Sequence, residues 1–166
     1  MKRLLFTVLI ILHITSIAHA SAVEDLKQAQ ESASQVGETA SEIWDYSREY
    51  GQAMDKHMQD AEKANIAAGS MALMMLASHL QFSVGTIEKT ILLFLAFSEA
   101  PESVQGKQIL YILNYQKQSL KGYREQISNL EDSYELMDEK GRKLCEKGGK
   151  QLDGAITDLN RALGWK

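Results

Sequence analysis

The chain has 166 residues, of which 45% are hydrophobic and 24% charged, with one proline, one cysteine and a net charge of −4. A modest acidic balance excludes nonspecific nucleic-acid binding and a polybasic grip on anionic lipid. A single cysteine excludes an internal disulfide, so packing alone must hold the fold.

The first twenty residues, MKRLLFTVLIILHITSIAHA, begin with Lys2 and Arg3 and continue in an apolar core from Leu4 to Leu12. They close with Ala18-His19-Ala20, which completes the layout of a secretory signal with an A-x-A cleavage site. A permanent membrane anchor needs roughly 18 uninterrupted apolar residues, more than this core supplies. Cleavage after Ala20 is expected, leaving 21–166 as a single helical domain in the periplasm or secreted medium. Loss of Lys2 and Arg3 would move the net charge from −4 to −6.

The next stretch carries a long helical seam. Ala22, Leu26, Ala29, Ala33, Val36, Ala40, Ile43, Ser47, Tyr50, Met54, His57, Ala61 and Ala64 are separated by alternating intervals of four and three. That is the a/d rhythm of a coiled coil, and its many alanines allow a partner helix to approach closely. Ser21 and Glu24 have the form of a capping box, as do Thr39 and Glu42. The seam keeps its phase across Gly37, so one continuous helix of about 64 Å is expected as far as Ala64.

From Ile66 to Leu80, and again from Ile91 to Phe97, apolar residues cover every side of the helix. A helix of that kind is buried in a core or in a membrane. Ser83-Val84-Gly85 reads as a break between two short helices, 65–82 and 86–98, and Pro101 begins the next segment.

A second seam follows: Ile109, Leu113, Gln116, Leu120, Tyr123, Ile127, Leu130, Tyr134, Met137, Gly141 and Leu144. Past Leu144 the glycines at 148, 149 and 154 weaken the helix, and Leu152, Ile156, Leu159 and Leu163 form a last amphipathic segment. Trp165 is expected to tuck back or fray. Cys145 reads as buried and inert. The basic cluster Lys140, Arg142, Lys143, Lys147 and Lys150 reads as a solvated helix face. So do the acidic pairs Glu131-Asp132 and Asp138-Glu139, whose neighbours point to different faces.

Together these patterns predict an all-α, elongated bundle of four or five helices. Two long heptad-patterned helices would flank a short apolar helical hairpin.

The chain contains no H-E-x-x-H, C-x-x-C-H, G-x-S-x-G or phosphate-binding glycine loop, which favours a non-catalytic role without a cofactor. Trp44, Tyr46, Tyr111 and Tyr115 lie off the seams, so they either meet a third helix or form an interaction patch of the kind enriched at interfaces. The third-helix reading is preferred, because the apolar middle needs neighbours. The expected role is contact with another protein or with a second copy, as an envelope or secretion-assembly component, an adaptor or an inhibitor.

Two alternatives stand beside it. Met54, His57 and Met58 share one helical face, as do Met71, Met75 and His79, and such soft donors suit monovalent copper in an exported protein. The competing reading is that methionine fills irregular cores well. The apolar segment 66–98 could also insert into a bilayer, although Gly69, Ser70, Ser78, His79 and Gln81 interrupt it.

Overall fold

A computed structural model describes residues 2–55, 61–97, 103–131 and 137–164, and among them every regular element is a helix. Four are present: α1 (Lys2–Asp55), α2 (Ala61–Phe97), α3 (Val104–Glu131) and α4 (Glu139–Leu163). α1 lies between α2 and α4, and α3 closes the ring by packing on both of these. Cross-helix pairs fix the directions. Gly37 meets Val84 and Gly51 meets Ser70, so α2 runs antiparallel to α1. The Lys147 ammonium donates to Glu42 and the Ser32 hydroxyl to Asp158, so α4 also runs antiparallel to α1. The result is an elongated up-down-up-down bundle.

The first seam is the spine of this arrangement. Ala22, Leu26, Ala29, Ala33, Val36, Ala40, Ile43 and Ser47 are all buried, and the helix passes Gly37 unbroken. Two of its predicted ends move. α1 already runs through Ser21, so no capping box forms there; the leader residues continue the helix and supply its carbonyls. At the other end α1 stops at Asp55, and Ala61 and Ala64 belong to α2. His57 lies outside the described residues.

The short apolar hairpin is not formed. α2 is one helix of 37 residues that passes straight through Ser83, Val84 and Gly85. Tertiary burial overrides the weak local propensity there. Ser83 and Val84 are buried, and a methyl at Gly37 would stand 3.1 Å from Val84 Cγ1, so the α1 glycine leaves the room that Val84 occupies.

The second seam is not one long helix either. α3 ends at Glu131 and α4 starts afresh at Glu139, so Leu144 belongs to a different rod from Ile109. The new start is chemical. Asp138 adopts an extended backbone and accepts the Gly141 N–H at 2.8 Å, which caps α4. Tyr134 and the pair's Asp132 lie outside the described residues, as does Trp165.

α4 carries a seam of its own: Gly141, Cys145, Gly148, Leu152, Ala155, Leu159 and Ala162 are buried at four-three intervals. The glycines read as helix-weakening are its contact surface. A methyl at Gly148 would lie 3.4 Å from Ile43 Cδ1 and 3.6 Å from Thr39 Cγ2. Lys140, Arg142, Lys143, Lys147 and Lys150 are exposed, and Cys145 is buried.

Three substitutions separate close approach from propensity. Gly141→Ala would drive a methyl to 2.6 Å from Tyr46 Cζ and should lower stability by about 1–3 kcal/mol, as overpacking does. Gly154→Ala meets open space and should stabilise by about 0.5–1 kcal/mol through helix propensity. Ser47→Ala should also stabilise, because the Ser47 hydroxyl is fully buried and finds no hydrogen-bond partner among the described residues. Urea midpoints of the three variants and the parent chain check these signs.

Candidate functional site

Two regions stand out once the bundle is assembled: the outer face of α2, and the junction where α1 receives the start of α4.

α2 is apolar on both sides. Its inner face, built from Leu73, Leu76, Leu80, Val84, Ile87, Ile91 and Phe94, is buried. Its outer face exposes Met71 (66%), Met75 (58%), Phe82 (75%), Leu92 and Leu93. From Ala64 to Ile87 the helix carries no Asp, Glu, Lys or Arg at all. An amphipathic surface helix places its charges on the solvent side, and α2 does not. The segment Lys63–Ala96, with mean hydropathy 1.2, is long and apolar enough to cross a membrane by length and composition.

α3 adds exposed apolar groups. Val104, Tyr111 (73%), Ile112 and Tyr115 (62%) are solvent-facing. Ile112 precedes Tyr123 by eleven residues and so lies on the same side of α3, and Tyr123 approaches His79 of α2 with ring centroids 6.3 Å apart. Ile112 therefore sits on the shoulder of α3 that is turned toward α2.

The aromatic candidates divide accordingly. Trp44 is partly buried against the core, and Tyr46 is buried with its hydroxyl on Asp138 at the start of α4, so Tyr46 meets another helix. For Tyr111 and Tyr115 the third-helix reading does not apply, because no helix among the described residues covers them. The six soft donors are not assembled by the described residues. Met71 and Met75 point outward, His79 is exposed, and Met54 is half-buried on α1 beyond the Gly51–Ser70 contact. His57 and Met58 lie outside the described residues. No cluster of three His, Cys, Asp or Glu side chains occurs among the described residues.

The α1–α4 junction was invisible to the periodicity. The Tyr46 hydroxyl donates to Asp138 Oδ1 at 3.0 Å, the same oxygen that accepts the Gly141 N–H. Tyr50 stacks on Tyr46 at 5.3 Å, and the Lys140 ammonium stands 5.8 Å from the Tyr46 ring centroid. Asp138 is thus more than a solvated acid: it caps one helix and anchors it to another. The signal available in the sequence was an aspartate three residues before Gly141, opening a segment of helix formers. A cavity of about 170 Å³ lies beside this junction, lined by Tyr46, Tyr50, Ile66, Ser70, Leu130 and Met137 among others.

Burial, and then the hydrogen bond and negative charge of Asp138, push the Tyr46 phenol well above its ordinary value of 10.0. Burial raises Tyr50 too, with help from Asp138.

No protein-family model matches the chain, and no curated protein or solved structure shows significant similarity to it.

Folding raises the tyrosine values, so the folded state prefers the neutral phenols. Their stabilisation is complete below pH 10 and is lost progressively as the pH climbs above it. Tyr46→Phe should cost about 1 kcal/mol at neutral pH, the worth of one hydrogen bond, and should flatten the alkaline fall in stability. Chemical denaturation of parent and variant at pH 8 and pH 11 measures both effects.

Proposed function

We propose that this is an exported, non-catalytic docking protein whose mature helical bundle binds protein through the uncovered apolar face of α2. The observation that carries the reading is the outer face of α2, which bears no formal charge from Ala64 to Ile87 and exposes Phe82 by 75%. Contiguous apolar patches of several hundred square ångströms are uncommon on monomers and mark interaction sites. Two exposed methionines in the stripe fit the same role, since flexible thioethers repack readily against apolar helices. The exposed Tyr111 and Tyr115 of α3 belong to the residue types enriched at interface centres.

The leader fits export. Cleavage after Ala20 would leave the chain from Ser21 onward, which includes the buried seam residues from Ala22 to Ser47. An envelope or secretion-assembly component, an adaptor or an inhibitor would each use such a face. Protein is favoured over lipid because an interfacial membrane helix opposes its apolar face with a cationic one, and α2 opposes its outer stripe with a buried core.

A photoreactive amino acid at Phe82 tests the reading directly. In the native envelope it should form protein adducts, while the same probe at exposed, polar Gln126 of α3 should form none. Labelling of lipid alone at Phe82, or equal labelling at both sites, overturns it. Mass spectrometry of the exported chain should find Ser21 as its first residue, and retention of the leader would overturn the export step.

A further inference from the structure

Resting on the docking reading, we infer that the protein covering the outer face of α2 is a second copy of this chain, packed antiparallel with its two-fold axis at Phe82. The stripe consists of Ala68, Met71, Met75, Ser78, Phe82, Thr86, Lys89, Leu93 and Ala96. Positions four, seven, eleven and fourteen residues on either side of Phe82 share its face, as they do about any helical residue, so the residue types carry the comparison. Three of the four flanking pairs match in residue type, Met75 and Lys89 being the exception. An antiparallel two-fold axis sets Ala68 opposite Ala96, Met71 opposite Leu93, Ser78 opposite Thr86, and Phe82 opposite itself. Such self-complementarity is what an isologous interface requires.

Exposure agrees with the pattern. Eight of the nine positions are exposed and Thr86 is half-exposed, with its hydroxyl donating to the Phe82 carbonyl at 3.0 Å within the helix. The charges agree too. Lys89 is the stripe's one formal charge and falls opposite Met75, whose thioether its aliphatic stem can cover. The two Lys89 residues stand fourteen residues apart along the paired helices, about 21 Å, where salt screens their repulsion. Four-three spacing supplies knobs for a helix pair, and the small end residues let the helices stay close.

The test uses the mature chain. Sedimentation at tens of micromolar should show a dimer, and Phe82→Glu, which sets two carboxylates face to face at the axis, should weaken it at least 100-fold. Phe82 is exposed, so the helical circular dichroism of the variant should match the parent, while its melting should lose the parent's rise with protein concentration. A short bis-maleimide should link Phe82→Cys to itself. Met71→Cys and Leu93→Cys should link only when mixed, with the parent chain, whose Cys145 is buried, as the blank. A monomeric parent, a dimer insensitive to Phe82→Glu, or self-linking of Met71→Cys overturns the proposal. If the parent is monomeric while a Phe82 photoprobe still labels a different envelope protein, the second copy is overturned and the docking reading stands. If a monomeric parent floats with phosphatidylethanolamine–phosphatidylglycerol vesicles and labels no protein, both are overturned.

Discussion

The structure depends on how closely α1 and α4 approach each other. α1 offers Ala29, Ala33, Ala40 and Thr39 to the interior, and α4 offers Gly141, Gly148 and Ala155. Small residues on facing helices bring backbones together and multiply weak dispersion contacts, which is how a chain without a disulfide can hold a 54-residue helix in place. Ile43 reaches toward Gly148, and Tyr46 lies across Gly141, so each bulky α1 side chain finds a notch in α4. At the Asp138 end the same contact acquires direction. One carboxylate caps α4 and receives the Tyr46 hydroxyl, which fixes where the last helix begins and against which turn of α1 it docks.

With α4 on one flank of α1 and α2 on the other, α2 has an inside and an outside. Val84 packs above Gly37 and Ser70 beside Gly51, so the register of α1 with α2 is set by the same logic of bulk into notch. α3 then closes the ring, with Tyr123 near His79 and the Arg124 guanidinium paired with Asp153 at 3.2 Å. The outer stripe of α2 is left over. It is apolar although the inner face already supplies the core.

Much of this was legible in the residues. Four-three spacing located the spine of α1 residue by residue, down to the anomalous Ser47, because a seam buried along one line must repeat at the helical period. It also placed Leu113, Leu120 and Ile127 in the core. The same rule misjudged two boundaries for opposite reasons. At Ser83-Val84-Gly85 poor helix formers proposed a break that burial against α1 overrode. Near Asp138 an unbroken heptad proposed a helix that a cap interrupted. Periodicity records which face is apolar, and it is blind to a turn that happens to preserve phase. The off-seam aromatics were separable only in three dimensions: Tyr46 and Tyr111 look alike in the sequence, yet one is clasped by α4 and the other faces solvent.

The sequence by itself determined that the chain is helical, that one cysteine leaves packing as the only staple, and that α1 is a continuous rod with a small-residue seam. Those properties follow from local spacing and composition, which act along the chain. Tertiary structure alone decided that α2 is one helix with a single covered side, and that Asp138 joins α4 to Tyr46. Both depend on contacts between residues far apart in sequence, where steric room and hydrogen-bond partners exist only after the helices have met.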